Sequence, residues 1–99
     1  MSFSVRFTPG AKNDIDRLYA FLLQHDIDTA ERALQAIKEA MKFLETYPFS
    51  CRKANQKNPW LREILVPFGN SGYLMLFEIE NAQTITILAI RHQREEDYY

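Results

Sequence analysis

Apolar and polar residues alternate at the start of the chain, where Ser4 and Arg6 separate Phe3, Val5 and Phe7. That two-residue period is the mark of a strand with one buried face. The period then changes. Thr8 can cap a helix with its hydroxyl, and Pro9 suits the first helical position, where a missing N–H costs nothing. From there Ala11, Ile15, Leu18 and Leu22 recur at helical spacing with Tyr19 on the same flank. The pattern predicts a helix reaching Gln24, with Asn13, Asp14, Asp16 and Arg17 turned to water. His25 to Ile27 reads as a short connector. Asp28 and Glu31 then stand at the spacing of a variant capping box. Ala30, Ala33, Leu34, Ile37, Met41 and Leu44 carry a second helix of about twenty residues, roughly 30 Å long, until Tyr47-Pro48 stops it. So short a link makes the two helices an antiparallel hairpin.

Residues 48–60, PFSCRKANQKNPW, are polar and basic with a proline near each end, and they read as a loop. Leu61 to Val66, Tyr73 to Ile79 and Thr84 to Arg91 then read as strands, separated by turns at Gly69 to Gly72 and Glu80 to Gln83. The expected order is β-α-α-β-β-β, an α+β fold whose helical hairpin covers one face of a small, mainly antiparallel sheet. The pattern leaves open where the first strand joins that sheet.

Composition narrows the function. Ninety-nine residues make a single domain, 1–99, too small for a cofactor-binding domain beside a substrate domain, and no cofactor is expected. Cys51 is the only cysteine and has no neighbouring ligand, which argues against a disulfide framework and a zinc site. MSFSVRF lacks the apolar run of a signal peptide or membrane anchor, so the cytoplasm is the expected location. A net charge of −1 and a pI near 6.1 give no overall attraction to phosphate backbones or anionic lipids. Local charge is uneven. Arg52, Lys53, Lys57 and Arg62 fall in a stretch without an acid, a candidate contact for an anionic partner, whereas Glu95, Glu96 and Asp97 cluster near the end.

Four stretches in order, VRFTPGAKNDIDRLYAFL, LREILVPF, GYLMLFEI and ITILAIRHQREEDY, resemble the RelE/ParE superfamily of bacterial toxin-antitoxin systems, and more closely its ParE branch. The resemblance spans the chain and implies the same element order. It also implies a growth-inhibiting toxin that acts on DNA gyrase and blocks replication, neutralised by a cognate antitoxin, with nucleic acid met only through gyrase or the antitoxin-operator complex. The alternative within the superfamily is a RelE-like endonuclease that cuts messenger RNA on the ribosome. A third reading is a non-toxic, antitoxin-binding corepressor.

Gyrase inhibition needs a protein-binding surface, whereas RNA cleavage needs surplus cations and an acid/base pair around a charged transition state. Where the nuclease branch presents lysines, this chain has Arg62 and Glu63 and then Ile64, Leu65 and Val66; where that branch has an arginine, it has Leu74. The acids at 95–97 would repel RNA from the tail. No catalytic residue is assigned, and His92 reads first as a structural hydrogen-bonding residue. Arg91, His92, Arg94 and Tyr98 are instead candidates for target recognition. Tyr19, Phe21, Leu23 and Phe43 lie off the main helical stripes and are candidates for antitoxin docking, because the resemblance implies an antitoxin segment that folds onto the hairpin and along the sheet.

Overall fold

The computed structural model describes residues 2–93. Arg94 and Tyr98, two of the expected recognition residues, lie outside them. The elements are β1 (Ser4–Phe7), α1 (Pro9–Leu23), α2 (Ile27–Leu44), a 3-10 turn (Pro48–Ser50), β2 (Arg52–Asn55), β3 (Asn58–Phe68), β4 (Ser71–Ile79) and β5 (Thr84–His92). They form one five-stranded sheet in the order β1-β5-β4-β3-β2. β1 joins it parallel to β5, and the other neighbours are antiparallel. The helical hairpin lies on one face. Ala11, Ala33, Ile37, Ala40 and Leu44 of the helices pack there against Met75, Phe77, Ile79, Ile85, Ile87 and Ile90 of the two central strands.

Local chemistry sets the first boundaries. Thr8 caps α1 by accepting a hydrogen bond from Ala11 N at 3.0 Å, with Pro9 just behind it. The cap of α2 corrects the expected one. Asp26 holds the end, accepting from Thr29 N at 3.2 Å and from the Thr29 hydroxyl at 2.8 Å, while Asp28 pairs with Arg32 at 3.3 Å. The helix therefore begins earlier, at Ile27.

The segment expected as a loop is a second correction. Residues 52–55 form a polar edge strand, with Arg52 opposite Glu63 and Asn55 opposite Asn58, and every residue of β2 is exposed. A strand buried on neither face shows no apolar alternation, so the pattern that reveals the other strands is silent here. Side chains hold it instead. Arg52 Nε meets Glu63 at 2.7 Å, and Asn55 Oδ1 accepts from Lys57 N at 2.8 Å to shape the turn. Four consecutive antiparallel strands result, rather than three.

A third correction concerns Asp14, which is 8% exposed rather than turned to water. β1 ends at Phe7 opposite Ile87, so β5 loses its strand neighbour there. Helix α1 takes over. Thr8 N donates to Ile87 O at 3.0 Å, the Thr8 hydroxyl to Leu88 O at 3.3 Å, and Asp14 Oδ2 accepts from Ile90 N at 2.9 Å. A buried N–H without such an acceptor would carry its full desolvation cost.

These contacts surround a β-bulge. Leu76 pairs with Ala89 but Phe77 with Ile87, which leaves Leu88 as the extra residue. The bulge changes the phase of β5. Ile85 and Ile87 face the helices before it, and Ile90 and His92 face them after it, opposite Met75 and Tyr73.

Candidate functional site

His92 ends β5 at the rim of a groove of about 650 Å³ between helix α1 and the β3–β4 hairpin. Leu18, Leu22 and Phe21 of α1 form one wall, and Phe68 and Tyr73 form the other. The hairpin turns on Gly69 and Asn70. Gly69 has φ 61°, as the first position of a tight two-residue hairpin turn requires. Gly72 follows where a Cβ would come within 2.3 Å of Val66 O, so only glycine lets the two strands close there. This turn places Phe68 and Tyr73 in a stack at 5.9 Å between centroids, and Tyr73 meets the His92 ring edge to face at 5.8 Å.

His92 Nε2 lies 3.1 Å from the Ser71 hydroxyl. Tyr73 is buried, and burial pushes its phenol pKa up, so it stays neutral at physiological pH. Arg17 is the cation at the groove, and its guanidinium pairs with Asp14 at 3.2 Å. The surface is therefore largely apolar and aromatic with an imidazole at its edge. It suits the side chains of a protein better than a phosphate backbone.

The structure regroups the residues that the sequence singles out. Phe21, expected to dock an antitoxin, and His92, expected to recognise a target, line the same groove. Arg91 and His92, adjacent in the chain, belong to opposite faces of the sheet: His92 is opposite Tyr73 on the helix side, and Arg91 is opposite Leu74. Phe21 is 59% exposed, its ring 5.2 Å from that of His25, and Leu23 is also exposed. Tyr19 is half-buried between the helices, where its hydroxyl donates to Glu31 at 2.5 Å and that bond raises its pKa.

Phe43 belongs elsewhere. It lines a cavity of about 450 Å³ with Ile64, Leu65, Arg52 and Glu63, where α2 faces β3. β2 reaches only Glu63, so among the described residues no strand pairs with the outer edge of β3 beyond it. Leu65, 47% exposed, sits on that open length.

The four basic residues divide. Lys53 and Lys57 are exposed, whereas Arg52 is paired with Glu63. Arg62 donates to the carbonyls of Pro59, Phe49 and Cys51 at 2.8, 3.1 and 2.8 Å, and lies over the Phe49 ring at 5.5 Å. It ties the 3-10 turn to β3. Burial pushes the Cys51 thiol pKa up, against a smaller opposite effect of Arg62, which leaves it a poor nucleophile. Among the described residues no cluster of His, Cys, Asp and Glu could hold a metal ion, and no helix is long and apolar enough to cross a membrane.

Phe68, Ser71, Leu65 and Ile64 escaped the sequence reading as site residues. Their signal was present in LREILVPF and the glycines that follow, but only the register Val66↔Tyr73↔His92 brings the turn to the end of β5.

A helical hairpin on a five-stranded sheet, with a groove at each flank of the hairpin, defines a small α+β protein. Residues 5–97 match the family described as ParE toxin of type II toxin-antitoxin system, parDE, and the chain belongs to that family. It is 29% identical over 96 residues to Toxin RelE1 of Caulobacter vibrioides, covering 97% of this chain and 99% of that protein. It is also 29% identical over 92 residues to Toxin RelE3 of the same organism, covering 93% and 96%. A solved structure titled Chromosomal ParDE TA system from P. aeruginosa has the same fold, with a TM-score of 0.69 at 22% identity over 92% of this chain and 96% of that one.

Proposed function

We propose that this toxin arrests growth by binding DNA gyrase and that a cognate antitoxin neutralises it by covering the His92 groove. The observation that carries this reading is the make-up of that groove. Two leucines and three aromatic rings surround one imidazole, and the one arginine beside them is already paired with Asp14. Phosphoryl transfer on RNA calls for several cations aimed at one phosphate, and the groove offers no such set among the described residues. Apolar side chains of a protein fit it.

Because Phe21 and His92 share the groove, an antitoxin segment seated against Phe21 also covers His92. Neutralisation is then direct exclusion of the target. Phe43, Ile64 and Leu65 give the rest of that segment apolar contacts, and among the described residues no strand pairs with the outer edge of β3 beyond Glu63. Lys53 and Lys57 remain available to an acidic stretch of either partner.

The names of the two Caulobacter relatives support a second reading, cleavage of ribosome-bound messenger RNA. Purified protein added to gyrase with relaxed plasmid, and in parallel to translating ribosomes, separates the two. Lost supercoiling or trapped linear DNA is the expected result. Message cleavage without any effect on gyrase would sink the proposal, and silence in both assays with tight antitoxin binding would leave the corepressor. His92→Ala should weaken gyrase inhibition while antitoxin binding persists, and Phe21→Glu should weaken both.

A further inference from the structure

The groove between α1 and the β3–β4 hairpin holds two hydrogen-bond donors that the fold leaves unused. The first is Arg17. Its guanidinium meets Asp14 Oδ1 through Nη2 at 3.2 Å, and among the described residues that is its one hydrogen bond. A guanidinium carries five N–H groups in a planar fork, so most of them remain for a guest. The second is Tyr73. It is 4% exposed and lines the groove, yet its hydroxyl makes no hydrogen bond among the described residues. The phenol is neutral and can donate. A donor so far withdrawn from water carries a cost that an oxygen of a guest would remove.

Arg17 is better placed than an ordinary surface arginine. An exposed ion pair usually contributes little, because two mobile side chains must be ordered to form it. Here one of them is ordered already. Asp14 is buried, and its Oδ2 accepts from Ile90 N at 2.9 Å while its Oδ1 faces Arg17. The sheet thus holds the acid, and the acid holds the guanidinium at the groove.

Charge then selects the guest. Among the described residues that line the groove are Arg17 and His92 and no Asp or Glu, with Leu18, Leu22 and Phe68 as apolar walls beside them. Asp14 offsets the charge of the guanidinium without occupying its fork. Such a pair suits one carboxylate, which is held by directed N–H bonds, better than a run of phosphates, which is held by surplus positive charge.

We infer that the groove takes a protein segment in which an apolar side chain stands next to a carboxylate. The apolar part lies against Leu18, Leu22 and Phe68, the carboxylate meets the Arg17 fork, and another oxygen of the segment accepts from the Tyr73 hydroxyl. This rests on the reading of the groove as a protein-binding site and adds the chemistry that it selects.

The full chain, isotope-labelled, is titrated with the capped dipeptides phenylalanyl-glutamate and phenylalanyl-glutamine, which differ in charge and hardly in shape. Magnetic resonance signals of Leu18, Leu22 and Phe68 report the binding. The glutamate peptide should bind about fivefold more tightly. Arg17→Gln should abolish that preference while the glutamine peptide binds as before, and Tyr73→Phe should weaken both peptides alike. Equal affinity of the two peptides, with the groove signals moving, would overturn the inference and leave the groove an apolar protein site. An undiminished preference in Arg17→Gln would overturn it as well, as would an oligouridine that displaces the glutamate peptide. Groove signals unmoved by either peptide would remove the protein-binding reading together with it.

Discussion

Beyond the end of β1, the β5 edge meets Thr8 and Asp14 of the helix cap and first turns, which take up the backbone groups of Ile87, Leu88 and Ile90. Along the outer edge of β3, β2 stops at Glu63, and among the described residues no strand pairs with that edge from there to Phe68. One edge is sealed from within and the other is left half open. The sealed edge carries the bulge that aims His92, a task that needs fixed geometry. The open edge lies beside Phe43 and Leu65, and in the proposed reading an antitoxin segment completes the sheet there.

Asp14→Ala should break the sealed edge. It leaves Ile90 N buried without its acceptor and removes the partner of Arg17, and the expected loss of stability is about 1–3 kcal/mol. Urea unfolding measures it, and Asp14→Asn, which keeps an acceptor oxygen, should recover much of the loss. Equal stability of Asp14→Ala and wild type would mean that water replaces the carboxyl group without penalty.

Leu65→Lys should act on the open edge alone. Antitoxin affinity is expected to fall by about tenfold, read by calorimetry, while unfolding stability stays within about 0.5 kcal/mol. A variant that loses stability instead would show that this length of β3 serves the fold rather than a partner.

The smallest effect concerns pH. The Thr86 hydroxyl first and then Arg6 hold the Glu80 carboxyl below its ordinary value of 4.5, and the bond from the Thr29 hydroxyl lowers Asp26 from 3.8. Groups with lowered folded pKa values bind fewer protons than the unfolded chain does, so their stabilisation is complete above those ordinary values. It disappears as pH falls through the lowered values. Urea midpoints at neutral pH and below pH 4 should therefore differ more for wild type than for Glu80→Gln, and parallel curves would remove Glu80 from the account.

The fold was largely legible in the sequence because one face of each main element is buried, and burial writes a period into the chain. Ala11, Ile15 and Leu18 gave α1, and Ile85 and Ile87 gave the start of β5. β2 escaped because neither of its faces is buried. Asp14 escaped because its role is set by the point where a strand remote in sequence runs out of neighbours. The groove was half legible. Phe21 and Leu23 stood out as apolar residues off the helical stripe, and both are exposed. That Phe21 meets His92 depends on the register of three strands, which side-chain periodicity does not specify.

Leu88 gives the chain slack. With no bulge, an unbroken alternation from Ile85 would turn Ala89 and Arg91 toward the helices and send Ile90 and His92 outward. Apolar pressure on Ile90 therefore chooses imidazole over guanidinium for the groove. Loss of Leu88 would shorten the strand yet preserve that choice, because the remaining residues alternate in phase. Loss of Arg91 would turn His92 out and bring Gln93 in. Changes of length in this strand are tolerable at the bulge and carry a change of chemistry one step beyond it.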